Sequence, residues 1–158
     1  MSKVVWRIGY SGDLTLSGLG VGSTKGEGRW HLNCTGGLQV VYCGSSRALC
    51  QLEKRVHLNG VMPRIADMAL LCLHIPDAAS LIDVASLGLP DDWKTNVALT
   101  QSIGMSWLAG KGSLGLWVPS FVEPAERNLL LNPVHLDYQR IELVIEKNPF
   151  IFDPRLFS

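Results

Sequence analysis

No long apolar run occurs in this sequence: the longest uninterrupted stretch, Met68 to Leu73, is far shorter than the ~20 residues a helix needs to cross a bilayer. Only Val4, Val5 and Trp6 precede the first arginine, Arg7, so no signal-peptide core is expected. The expected compartment is the cytoplasm, with no membrane partner. Cysteine is scarce and unpatterned. Cys34, Cys43, Cys50 and Cys72 form no CxxC pair, and reduced, partly buried thiols are expected. His31, His57, His74 and His135 are too scattered to propose a metal site, so no metal is expected. Surplus charge is lacking too, with 14 basic and 14 acidic side chains in 158 residues. That balance argues against a basic coat and a direct nucleic-acid partner.

Familiar nucleotide and hydrolase signatures are also missing. A P-loop needs four residues between its first glycine and the Gly-Lys pair, whereas Gly104 and Gly110-Lys111 are separated by five, with Gly112 in place of Ser or Thr. Gly18, Gly20 and Gly22 alternate, which does not fit the dinucleotide fingerprint. No GxSxG or HExxH occurs. Repeats, low-complexity blocks and Pro/Ser-rich linkers are absent, so residues 1–158 are expected to form a single domain.

What is present is a globular composition, 47% apolar and 18% charged. The zero net charge is a sum of unlike parts. Residues 1–64 hold eight Lys/Arg against three Asp/Glu, and residues 65–158 hold six against eleven. A local anion site in the first part therefore stays open. Nine of the 16 glycines fall in residues 9–37, which means irregular backbone: either a plain surface loop or one that lets a ligand approach the main chain.

Val-, Tyr- and Trp-rich segments at Lys3–Tyr10 and Gln39–Cys43 read as strands. Ser45 or Ser46 caps a helix running to about Leu58, and a second helix is expected over Asn96–Ala109. Further strands are expected at Asp67–Ile75, Leu114–Val118, Ile141–Ile145 and Phe150–Phe152. Strands outnumber helices and few βαβ units are clear, so the fold class is α+β.

In the first helix Leu49, Leu52 and Val56 follow the spacing of a core stripe, and Glu53 sits at its edge. That carboxylate is either paired with His57 at i+4 or set in a low-dielectric pocket where it stabilises positive charge. Upstream, Gly28-Arg29-Trp30-His31 closes the glycine-rich segment. Arg29 is a surface arginine or a bidentate anion clamp, and Tyr42 lies in the strand entering the helix.

These residues, in order, resemble the RES domains of bacterial Xre–RES toxin–antitoxin pairs. The resemblance runs through Trp6-Arg7-Ile8, Gly28-Arg29-Trp30-His31, Val40-Val41-Tyr42, Leu52-Glu53, Val56-His57-Leu58, Leu89-Pro90 and Trp93. It continues through Gly104–Trp107, Val118-Pro119-Ser120, Asn132-Pro133-Val134-His135 and Phe152-Asp153-Pro154-Arg155-Leu156. The arginine, glutamate and serine that name the family match Arg29, Glu53 and Ser120. Two departures stand out: Glu27 replaces a usual glycine, and His31 stands where many members have Asn.

The resemblance implies an ADP-ribosyltransferase-like fold, with short strands in a split or mixed sheet and flanking helices. It implies NAD as substrate, cleaved between nicotinamide and ribose, with water, phosphate or a protein side chain as acceptor. It implies Glu53, Arg29 and Tyr42 as catalytic residues, and Arg7, Arg29, Tyr42, Ser120 and Asn132 as NAD-binding ones. Partners expected on the same ground are a helical Xre-type antitoxin over the active site and, for a transferase, a protein acceptor. The acidic second part is a candidate for the antitoxin interface.

Overall fold

A computed structural model describes residues 3–12, 14–64 and 67–158. The described residues form seven strands: β1 (Lys3–Tyr10), β2 (Val41–Gly44), β3 (Met68–Ile75), β4 (Leu81–Asp83), β5 (Gly115–Pro119), β6 (Arg127–Leu131) and β7 (Glu142–Lys147). Two α-helices accompany them, α1 (Arg47–His57) and α2 (Val97–Gly110), with short 3-10 turns between. The strands make one mixed sheet in the order β4-β5-β6-β2-β1-β3-β7, in which only β4 and β5 run parallel. This is the expected α+β class. Among the described residues no helix is long and apolar enough to cross a membrane.

The centre of the sheet follows from β3, whose residues are buried on both faces except for partly exposed His74. It pairs with β1 along the full length of both, from Lys3–Ile75 to Tyr10–Met68. On one face Val5, Leu71, Leu73, Leu129 and Leu131 pack with Tyr138. The alternate residues point the other way, as the two-residue period of a strand requires. There Ile8, Met68 and Leu70 meet Cys50 of α1, and Leu116, Val118 and Leu130 meet Trp107 and Leu108 of α2. Both helices therefore cover the same face.

Between β1 and β2 the ladder is reduced to one pair, Trp6–Gly44. The sheet is split there, and the Arg7 guanidinium bridges the split, donating to the Tyr42 carbonyl (2.9 Å) and to the Leu19 carbonyl (3.2 Å). Backbone acceptors that lose their ladder partner need a replacement donor.

Several expectations are corrected. Phe150–Phe152 is not a strand: Phe150 and Phe152 pack edge to face at 5.0 Å in the core beneath α1. Gln39 and Val40 precede β2 rather than belong to it, and residue 67 lies outside β3. The α1 stripe is turned: Leu49 and Cys50 are buried, whereas Leu52 and Val56 are 41% and 54% exposed. Ser46 does cap α1, its hydroxyl accepting from the Leu49 N–H. Asn96 caps α2 in the same way, its side-chain oxygen accepting from the Leu99 N–H.

Candidate functional site

A cleft of about 640 Å³ opens between α1, the glycine-rich segment and the end of β5. A second hollow of about 620 Å³, beside α2, is lined by apolar residues, glycines and serines with no charged side chain. The first, with its charged lining, is the candidate site. Its charged lining residues, Arg7, Glu27, Arg29, Glu53 and Lys54, all come from the first 64 residues, with His57 beside them. Val97, Pro119, Phe121, Val122 and Asn128 complete the wall without adding charge. Three of the first part's eight cations and two of its three carboxylates thus meet at one cavity.

Glu53 continues the buried side of α1, four residues after Leu49 and three after Cys50, which aims it at the sheet rather than at His57. Its Oε1 accepts from the Ser120 hydroxyl (2.6 Å) and from the Asn128 amide Nδ2 (2.7 Å). Among the described residues no side chain donates to Oε2. One oxygen is anchored and the other is left to the cleft.

Ser120 is fully buried just after β5 and accepts from the backbone N–H groups of Val122 (3.2 Å) and Glu123 (3.1 Å). A hydroxyl that accepts from both N–H groups directs its own hydrogen to Glu53. Replacing Ser120 by alanine removes both functions, and we expect turnover of the cleft's substrate to fall roughly 10–100-fold, the scale of a misplaced catalytic group. Steady-state kinetics on a variant with unchanged circular dichroism would check it.

Arg29 stands at the cleft mouth, half-buried. Nη1 donates to the Lys94 carbonyl (3.0 Å), and the guanidinium lies 3.8 Å from the centre of the Phe121 ring. The Lys94 ammonium is 5.2 Å from the same ring. Tyr42 projects from β2 into the cleft. Its hydroxyl lies 2.6 Å from His31 Nδ1 and accepts from the Trp30 N–H at 3.3 Å. Burial pushes the Tyr42 phenol well above its ordinary range, so it stays protonated. Arg7 lines the cleft floor, but its Nη groups are engaged with backbone, and its Nε is buried without a partner. Asn132 is elsewhere. It is fully buried at the end of β6, donating to the Leu108 carbonyl (3.1 Å) and accepting from the Val134 N–H (3.2 Å). The structure does not bring it to the cleft.

Among the lining residues that escaped the sequence reading, Asn128, Lys54 and Phe121 bear most on the site. Asn128 was hidden in a strand that composition did not reveal. Lys54 reads as a solvated neighbour of Glu53, yet burial, and then the nearby Arg7 charge, pull its ammonium down to about 8. Phe121 looks like an ordinary apolar residue. Cys50 also lines the cleft, but burial pushes its thiol up to about 11, which leaves it a poor nucleophile at neutral pH. All four cysteines are free and buried, and no His/Cys/Asp/Glu cluster suited to a metal occurs among the described residues.

A sequence model of the RES domain matches residues 4–153. The chain belongs to the RES-domain family. Curated relatives span it almost end to end. A protein named Toxin Res from Yersinia enterocolitica is 35% identical, covering 97% of this chain and 99% of its own. A Prs ADP-ribosylating toxin from a Sphingobium strain is 36% identical, covering 99% and 98%. The crystal structure of the M. tuberculosis MbcT–MbcA toxin–antitoxin complex contains a chain with the same fold. The TM-score is 0.69 at 16% identity, over 99% of this RES domain and 87% of that chain. Of the residues that match the family's name, Arg29 and Glu53 line the cleft, and Ser120 is buried behind it in direct contact with Glu53.

Proposed function

We propose that this RES domain is the toxin of a toxin–antitoxin pair and consumes NAD by cleaving the bond between nicotinamide and ribose. The observation that carries the reading is Glu53, a carboxylate with one oxygen pinned by Ser120 and Asn128 inside a cleft whose other charges are mainly cationic. Breaking the glycosidic bond leaves an electron-poor, oxocarbenium-like ribose, and a fixed carboxylate beside it stabilises that charge without reorganising. Nicotinamide departs as a neutral ring, so no second carboxylate is needed as a general acid.

In this scheme Glu53 Oε2 meets the ribose, and the Tyr42 ring orients nicotinamide. Arg29 and Lys54 receive the pyrophosphate. Arg7 holds the split floor of the cleft rather than meeting the substrate through its Nη groups. Asn132 supports β6 and the end of α2 from outside the cleft. Residues 1–158 act as a single domain, without a metal, in the cytoplasm where the NAD pool lies.

Lys54 gives the reading a pH signature. Its ammonium loses its proton near pH 8, so affinity for NAD is expected to weaken as pH rises through that value, and Lys54→Met should flatten the change. The stability effect has the opposite sense. The unfolded chain keeps this proton to a higher pH, so between about 8 and the ordinary lysine range Lys54 makes stability rise with pH. KM and thermal melting measured from pH 7 to 10 would check both.

A second reading, transfer of ADP-ribose to a cellular protein, is favoured by the name of the Sphingobium relative. Labelled NAD in lysate separates the two: a labelled protein band supports transfer, and free ADP-ribose or its phosphate supports degradation. A toxin of this kind needs restraint, and we assign that to an Xre-type antitoxin lying over the cleft. The cleft wall leaves Val56, Val97, Phe121 and Val122 exposed, an apolar collar that such a partner would bury.

A further inference from the structure

The Tyr42 hydroxyl belongs to a chain of hydrogen bonds whose directions can be assigned one by one. His31 Nε2 lies 2.9 Å from the Gly26 carbonyl, which can only accept, so Nε2 carries a proton. His31 is 5% exposed, and burial lowers its pKa below the ordinary range, which favours the neutral ring with Nδ1 as a bare acceptor. The group 2.6 Å from Nδ1 is the Tyr42 hydroxyl, which must therefore donate to it. The Trp30 N–H in turn donates to the Tyr42 oxygen.

A separate observation shows that the backbone is shaped for this arrangement. Gly28 N–H donates to the His31 carbonyl at 3.0 Å, folding His31 back toward β2. A Cβ on Gly28 would lie 2.5 Å from His31 Cε1, 2.6 Å from Nδ1 and 2.9 Å from the Tyr42 oxygen. No side chain fits there without breaking the contact.

We propose that His31 is a positioning residue for Tyr42: it holds the hydroxyl hydrogen away from the cleft, so that Tyr42 meets the substrate through its ring and not as a proton donor. The inference rests on the NAD-consuming reading and deepens it. It concerns a residue that departs from the family pattern, and it gives Gly28 a reason to remain glycine.

A double-mutant cycle tests it, with His31→Phe, Tyr42→Phe and the pair assayed for NAD consumption. His31→Phe should lower kcat by about tenfold with a smaller change in KM, because the ring of Tyr42 is no longer held in register. In the Tyr42→Phe background the same change should cost less than about twofold, since no hydroxyl remains to be held. His31→Gln, whose Oε1 can accept, should recover part of the loss and serves if His31→Phe folds poorly. Losses that simply add would overturn the proposal. Independently of turnover, 15N imidazole spectra should show His31 protonated at Nε2 and bare at Nδ1; a proton on Nδ1 would also overturn it. Wild-type protein that leaves NAD intact would instead refute the NAD reading itself, before any variant is made.

Discussion

Glu53→Gln is expected to lower NAD turnover by roughly 10²–10³-fold, the scale on which a single preorganised electrostatic group acts, while the protein stays folded. Glutamine is the informative substitution. Its amide oxygen can still accept from Ser120 and Asn128, which now lie 2.6 and 2.7 Å from Oε1, so the packing of α1 against β5 and β6 is preserved. What is lost is the negative charge facing the ribose. Alanine would remove the charge and also orphan two donors, at about 1–3 kcal/mol for each buried group. It would thus confound chemistry with stability. Circular dichroism and a melting curve beside the kinetics separate the two, and a Glu53→Gln protein that is folded and turns over at the wild-type rate would rule out the carboxylate mechanism.

Gly104→Ala is expected to destabilise the domain by about 3 kcal/mol or more, at the upper end of the overpacking scale, and to abolish NAD consumption in whatever folds. Residues 28–30 meet α2 at three successive carbonyls, the first two hydrogen-bonded to it. Gln101 donates to the Gly28 carbonyl (3.0 Å) and Thr100 to the Arg29 carbonyl (2.6 Å). Gly104 lies so close to the third that a Cβ would sit 1.8 Å from the Trp30 oxygen. Backbone must move to admit a methyl group, and the backbone that moves carries Arg29 and the N–H bonded to Tyr42. Gly110 offers the control on the same helix. A Cβ there meets nothing within 4 Å, so Gly110→Ala should gain about 0.4–1 kcal/mol. Denaturant titration of both variants should therefore give shifts of opposite sign from the same chemical change.

Much of this was legible in the chain. Ser45 or Ser46 announced α1, the apolar run at Met68–Leu73 announced the central strand, and Glu53 at the edge of a helical stripe left a pair with His57 or a pocket carboxylate open, of which the structure shows the second. The stripe itself was misjudged. Spacing cannot tell which side of a helix meets a sheet when one wall of that helix also lines a cavity, and here Val56 lines the cleft while Cys50 enters the core. β6 was missed because it opens on Arg127 and Asn128, polar residues that read as loop, and because one of its two partner strands, β2, is 84 to 90 residues away and absent from any local window. Phe150–Phe152 has strand composition but satisfies its rings by packing against each other. Asn132 followed from family likeness alone, and the fold spends its amide on the backbone of α2 and the turn after β6. The charge split was a better guide: a zero net charge concealed a cleft whose charged lining comes wholly from the first 64 residues, three cations against two carboxylates.

The central claim is that the cleft cleaves NAD at the nicotinamide–ribose bond, and mass spectrometry of purified protein incubated with NAD, with and without phosphate, addresses it most directly. The account predicts free nicotinamide, together with ADP-ribose or its phosphate, formed roughly 10²–10³-fold more slowly by Glu53→Gln. Intact NAD after incubation with the folded wild-type protein, in the presence of phosphate and of lysate proteins as acceptors, would contradict it.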